Sequence, residues 1–181
     1  EEVARGWDIP KIHNDFARYT QHLQELVPEF EGRLNVLRGL EVEVVPTAKY
    51  SELMKAFRHY KLADGSPAFD YQVGSVHYVD EIQIDGSPEN YQKAVEACGG
   101  IEALALRYYR LLAELVVELR PEVVGHLDLI KRNLALAGFG EFSLDIPSIH
   151  KAATETLEAV RSVNGILDLN TAGWRKGLGE P

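Results

Sequence analysis

Strand-like segments and segments with helical periodicity alternate along this chain, and the alternation limits its possible folds more than any other feature. Four short apolar stretches rich in β-branched residues are predicted strands: 33–45, 70–77, 122–126 and 166–170. Segments with apolar residues at helical spacing are predicted helices: 11–26, 49–60, 88–97, 101–120 and 147–163. Strands that alternate with helices are typical of parallel βα units, so we predict an α/β fold with a parallel sheet.

Each predicted strand carries a polar, ligand-capable side chain toward its end, namely Glu41, His77, His126 and Asn170. In α/β barrels the carboxyl ends of the strands converge on the face that holds the active site. Two imidazoles and a carboxylate on neighbouring strands match a site for zinc, manganese or iron. We therefore predict that Glu41, His77 and His126 bind a metal.

Structural explanations of the same residues stay open at this point. A histidine at a strand end is more often a hydrogen-bonded structural residue than a metal ligand. Asn170 suits a turn. In a strand with alternating apolar and polar residues, the Glu41 side chain would simply face outward, which is the orientation predicted for Glu43. The dipeptide Asp85-Gly86 is interpreted as a turn signal only.

The net charge and the cysteine content indicate which kinds of partner and which cellular compartment to expect. The net charge is −9, so a general nucleic-acid binder is not expected. A single cysteine excludes an intrachain disulfide and favours a reducing compartment. No apolar run approaches the ~20 residues of a membrane span. We expect a soluble cytoplasmic protein with a small-molecule partner and no membrane or nucleic-acid partner, while the sequence gives no signal for an oligomeric state.

Four motifs resemble the polymerase-and-histidinol-phosphatase (PHP) superfamily in order and spacing, with the closest match to its histidinol-phosphatase branch. They are RGLEVEVV, DYQVGSVHYVDEIQID, EVVGHLDLIKR and LDLNTAGWRKGLGEP. The resemblance extends over nearly the whole chain. It implies a distorted seven-stranded TIM-like βα barrel with two or three divalent metals on its C-terminal face, either zinc or manganese, with iron as an alternative.

The resemblance also implies an activity and residue roles. Members hydrolyse phosphate monoesters with a metal-activated water, here L-histidinol phosphate in histidine biosynthesis. Glu41 would bridge two metals, with His77 and His126 completing the shell of the second metal. The substrate would contact Asn170 and Arg175, with Arg132 as a weaker phosphate-binding candidate.

The chain departs from the family pattern at its ends. The His-x-His, Thr-Asp-His and closing Asp-x-His strands of the family are not found in the sequence. We interpret residues 1–181 as the central portion of a single barrel domain, because an open parallel sheet would expose unpaired strands. A short protein with a degenerate site is the alternative. Two other functions stay open, namely another PHP phosphoesterase or nuclease, and a non-catalytic PHP-like module.

Overall fold

A computed structural model describes residues 8–43, 52, 55–140, 145–171 and 175 of the 181-residue chain. The chain divides into two compact units, one made of residues 1–39 and 60–70 and the other of residues 40–59 and 71–181. Among the helices in the described ranges, none has both the length and the apolar character needed to cross a bilayer. Parts of two predicted segments, 49–60 and 33–45, fall outside the described residues.

The first unit is built on helix α1, Ile9–Glu29. Pro10 lies in the first turn of α1, where its missing N–H breaks no helical hydrogen bond. The buried Phe16 ring meets Tyr60 edge-on, with 4.9 Å between ring centroids, and also contacts Phe69. These aromatic contacts connect α1 to the 60–70 segment within this unit.

The second unit is organised around a parallel sheet. The described residues form six strands: β1 (Gly39–Glu43), β2 (Tyr71–Ser75), β3 (Tyr78–Val79), β4 (Ile82–Gln83), β5 (Val123–Val124) and β6 (Ile166–Leu167). Four of them make one sheet in the order β1-β2-β5-β6. The pairs β2–β5 and β5–β6 are parallel, whereas β3 and β4 form a separate antiparallel hairpin. Adjacent strands of the sheet therefore come from distant parts of the sequence.

The described residues of the second unit also include the helices α2 (Pro88–Cys98), α3 (Ile101–Leu119) and α4 (Pro147–Ser162). The Ser87 hydroxyl accepts the Asn90 N–H and caps α2, which ends at Gly99 with a left-handed φ of 86°. Helix α3 packs against α4 and β2. Its buried side chains form much of the core: Leu104, Ala105, Tyr108, Tyr109, Leu112, Leu115, Val116 and Leu119.

The predicted α/β class with a parallel sheet is confirmed, but the strands are shorter than predicted. Strand β2 ends at Ser75 rather than at His77, and the backbone N–H groups of His77 and Tyr78 donate to a side-chain carboxylate, that of Glu43. The predicted strands 122–126 and 166–170 pair over only two residues each. The seven-stranded barrel and the assignment of residues 1–181 to one domain stay predictions.

Candidate metal centre

Three of the four predicted strand-end residues meet at one edge of the sheet. Glu41 lies on β1, His77 follows β2 and His126 follows β5, and these strands are neighbours. One ligand atom from each residue lies within 4.8 Å of the other two. We call Glu41, His77 and His126 the candidate metal centre.

The three side chains face one another without direct hydrogen bonds. Glu41 Oε1 lies 3.8 Å from His77 Nε2 and 3.8 Å from His126 Nε2, which is longer than a hydrogen bond. The imidazole rings meet edge to face, with 4.8 Å between their centroids. The arrangement leaves nitrogen and oxygen donors directed toward a common space.

Glu43 does not point outward as the sequence predicted. It alternates with the buried Val42 and so lies on the same side of β1 as Glu41, but its side chain is only 19% exposed and contacts the segment after β2. Its carboxylate accepts the backbone N–H groups of His77 (2.6 Å) and Tyr78 (3.0 Å). The other carboxylate oxygen lies 3.2 Å from His77 Nδ1. The period-two pattern Glu41-Val42-Glu43 is the sequence signal that could have identified this residue.

Glu43 also sets the electrostatic environment of His77. Burial lowers the pKa of His77, but the hydrogen bond to Glu43 and the negative charges of Glu43, Asp85 and Glu41 together outweigh burial, so the pKa of His77 is raised. A hydrogen bond from Nδ1–H to Glu43 leaves the Nε2 lone pair toward Glu41. This orientation is the one that a metal-binding imidazole needs.

His126 lies in a constrained backbone position. Its φ is 21°, which is uncommon for a residue with a side chain. Its carbonyl accepts the Tyr108 hydroxyl (3.2 Å) and the Leu129 N–H (3.0 Å). A Cβ at Gly125 would lie 2.4 Å from Ser75 Oγ, so only glycine fits immediately before His126 without movement of Ser75.

The His126 ring differs from that of a structural histidine in a protein core, whose buried ring nitrogens form hydrogen bonds. Within the described residues, its buried Nδ1 has no hydrogen-bond partner. Burial and the nearby His77 lower the pKa of His126, which favours the neutral imidazole that binds metals. Two imidazoles and a carboxylate are a donor set that fits a divalent transition metal. The described chain therefore contains a cluster that can hold such an ion.

The predicted substrate residues lie in different surroundings. Arg132 forms an ion pair with Asp85, at 3.2 Å between Nη1 and Oδ2, so Asp85 is more than the turn residue that the sequence indicated. No local pattern identified Asp85, because its partner is distant in the sequence. Asn170 is partly buried beyond β6, and Arg175 is exposed. The remainder of the predicted substrate segment, 172–174 and 176–177, lies outside the described residues.

Comparison with known proteins gives consistent matches over most of the chain. The PHP domain profile matches residues 11–172. A "Probable histidinol-phosphatase" of Deinococcus radiodurans is 34% identical over 98% of this chain and 61% of that protein. A "Probable histidinol-phosphatase" of Schizosaccharomyces pombe is 32% identical over 92% of this chain and 52% of that protein.

A "Histidinol-phosphatase" of Bacillus subtilis is 28% identical over 88% of this chain and 59% of that protein. The chain thus spans between 52% and 61% of the length of these three relatives.

Proposed function

The chain belongs to the PHP domain family, and on this premise we propose that the protein is a metal-dependent phosphomonoesterase acting on L-histidinol phosphate. The products would be histidinol and inorganic phosphate, a step of histidine biosynthesis. The convergence of Glu41, His77 and His126 within 4.8 Å is the observation that carries the proposal. The names of the relatives support the substrate.

Glu41, His77 and His126 would hold the metal. Oε1 of Glu41 lies 3.8 Å from each of the two imidazole Nε2 atoms, so the three side chains could hold one ion between them. The bridging role of Glu41 is what the family resemblance implies, and its second carboxylate oxygen would be available for it. Zinc and manganese both suit this donor set, iron is also compatible, and the family resemblance implies two or three ions. A bound divalent ion would supply Lewis acidity, lowering the pKa of a water molecule to about 7 and neutralising charge on phosphoryl oxygens.

The side chains of this chain have distinct tasks in the proposed reaction. Neutral His126 and the Nδ1-anchored His77 present nitrogen lone pairs without adding negative charge, which preserves the electrophilic character of the site. Arg132, Arg175 and Asn170 would contact the substrate, since a guanidinium group can make a bidentate contact with phosphate.

We further propose that the sheet is part of the distorted seven-stranded barrel that the resemblance implies, and that residues 1–181 belong to one such domain. The support is the parallel order β1-β2-β5-β6 with the candidate metal centre at its edge. This arrangement matches the rule that barrel active sites lie at the carboxyl ends of the strands.

Phosphate release from L-histidinol phosphate tests the function. The full-length protein is assayed with Mn²⁺ or Zn²⁺ and with EDTA, beside His77→Ala. We expect metal-dependent release that EDTA abolishes. We expect His77→Ala to lose more than the roughly 10–100-fold typical of an outer-shell partner, since it removes a ligand.

His150→Ala is the matched control, because His150 is exposed on α4 in the same unit. Its activity should equal that of the wild type. No release with either metal from folded protein, or release that persists in EDTA, would contradict the proposal. Cleavage of an oligonucleotide without cleavage of the monoester would indicate a PHP nuclease instead.

A further inference from the structure

We propose that Asp85 is a positioning residue that holds the Arg132 guanidinium at the rim of the candidate metal centre, where it receives the phosphate group of the substrate. This inference rests on the proposed function and adds a residue to it. The ion pair, its burial and its attachment to the segments that follow His77 and His126 carry the argument.

The Asp85 carboxylate is fixed on both of its oxygens. Oδ2 lies 3.2 Å from Arg132 Nη1, and Oδ1 accepts a hydrogen bond from Gln83 Nε2 at 3.0 Å. The Asp85 side chain is 14% exposed, whereas the Arg132 side chain is 37% exposed. A shielded carboxylate thus anchors a guanidinium that a ligand from solvent can reach.

Asp85 is connected to the segment that carries His77. The N–H of the preceding residue, Ile84, donates to the His77 carbonyl at 2.9 Å. The Ile84 carbonyl accepts a hydrogen bond from Asn133 Nδ2, also at 2.9 Å. Asp85 therefore directly follows a residue whose backbone is bonded to His77, one of the three candidate ligands.

Arg132 is connected to the segment that carries His126. The Leu129 N–H donates to the His126 carbonyl, and the Arg132 N–H donates to the Leu129 carbonyl, each at 3.0 Å. These bonds form the short 3₁₀ turn at Leu129–Lys131. The backbone of Arg132 is anchored on His126, and its guanidinium is anchored on Asp85. The backbone anchor leads through Leu129 to His126, and the residue before Asp85 is bonded to His77.

This arrangement favours phosphate binding by pre-organisation. A guanidinium has five N–H donors, and the contact with Asp85 uses a donor on Nη1, so the other nitrogens can donate to phosphate oxygens. Because Asp85 already restricts the Arg132 side chain, less conformational entropy is lost when phosphate binds. Loss of Asp85 should therefore weaken binding of the phosphate group rather than slow the chemical step.

A double-mutant cycle with Asp85→Asn and Arg132→Ala in the full-length, metal-loaded protein tests this. We expect Asp85→Asn to raise KM for L-histidinol phosphate about 5–10-fold, with kcat changed less than about twofold. Titration calorimetry with inorganic phosphate should show the same loss of affinity. Arg132→Ala should weaken phosphate binding more than Asp85→Asn does. The double variant should bind phosphate with the same affinity as Arg132→Ala, since Asp85 acts only through Arg132.

Asp80→Asn is the matched control. Asp80 lies at the turn of the same hairpin and pairs with Arg107 at 2.9 Å, on a helix that the proposal does not involve. The Asp80→Asn variant should leave KM and phosphate affinity unchanged. If Asp85→Asn prevents folding, Gln83→Ala loosens the same carboxylate and should weaken phosphate binding in the same direction.

Three results would overturn the inference. The first is an unchanged phosphate affinity in Asp85→Asn, or in Gln83→Ala if Asp85→Asn does not fold. The second is a further loss of substrate affinity when Asp85→Asn is added to Arg132→Ala. Asp85 would then contact the substrate itself, for example its ammonium group. Equal effects of Asp85→Asn and Asp80→Asn are the third. Failure of the proposed function is distinct, since the wild type would then release no phosphate.

Discussion

At the scale of single residues, the orientation of the His77 ring depends on Glu43. One carboxylate oxygen of Glu43 accepts two backbone N–H groups, and the other lies next to His77 Nδ1. Glu43 therefore stabilises both the backbone and the ring that carries the predicted ligand atom. Outer-shell carboxylates of this kind fix the tautomer of a ligating histidine and raise its basicity.

We expect Glu43→Gln to weaken metal binding about 10–100-fold while the protein stays folded. A glutamine can present either an oxygen or an NH₂ group to Nδ1, so it no longer selects the ring with the proton on Nδ1. Competition with a chromophoric chelator for Zn²⁺ or Mn²⁺ measures the affinity without an activity assay.

Glu122→Gln is the control for this prediction. Glu122 also accepts a backbone N–H, that of Gln72 at 2.8 Å, but Gln72 lies near the start of β2, at the end away from His77. Metal affinity in Glu122→Gln should match the wild type. An unaltered affinity in Glu43→Gln would show that the carboxylate has no role in holding the ring for the metal.

At the scale of secondary-structure elements, β2 and α3 approach closely at Gly74. A Cβ at this position would lie 2.6 Å from Leu115 Cδ2 and 2.8 Å from Pro121 Cγ. Leu115 is buried on α3, and Pro121 has a rigid ring, so neither can move without cost. The absence of a side chain at Gly74 therefore allows the sheet to pack against its central helix.

Gly74→Ala should lower the free energy of unfolding by about 1–3 kcal/mol, as overpacking of a core does. Urea unfolding followed by circular dichroism measures this loss. Gly86→Ala provides the comparison, because a Cβ there meets only the flexible end of the Gln83 side chain. Its cost should stay within about 0.5 kcal/mol. Equal costs at the two glycines would contradict the packing explanation.

At the scale of the whole molecule, contacts between distant segments hold each compact unit together. In the unit of residues 1–39 and 60–70, Arg38 and Asp70 pair through both side-chain oxygens and through their backbones. The Nη2–Oδ1 distance is 2.7 Å. The hydrogen bond from Arg38 holds the pKa of Asp70 below its ordinary value.

This lowered pKa predicts that stability depends on pH in the acid range. An unfolded aspartate titrates near pH 3.9, whereas folded Asp70 stays ionised below that value. The folded protein then binds fewer protons than the unfolded chain, so the contribution of the pair is fully present above about pH 4–5. It is lost as the pH falls through the folded pKa.

Asp70→Asn should therefore reduce stability at neutral pH, and its difference from the wild type should shrink below about pH 4. Urea unfolding between about pH 7 and about pH 2.5 measures both curves. Asp15→Asn removes an exposed pair with Lys11 on α1 and should have little effect. A difference for Asp70→Asn that is constant with pH would exclude this ion pair as the cause.

Local patterns in the sequence predicted the parallel α/β class, the helices and the three residues of the candidate metal centre. Helical periodicity and caps such as Ser87-Pro88 depend on neighbours along the chain, so they are visible before folding. The polar residues near strand ends were identifiable because parallel strands carry their functional groups on one side. Strand ends were less accurate, since pairing partners determine where a strand stops.

Only the tertiary structure revealed the partners of those residues. Glu43 turns to His77 because β1 and β2 are adjacent, and Asp85 meets Arg132 because the segment after β4 packs near the turn after β5. Side-chain contacts of this kind join residues that are far apart in the chain. Their existence depends on the order of the strands in the sheet, which local periodicity does not specify. The sequence by itself therefore determined the fold class and the candidate ligands, and the packing decided how they are held.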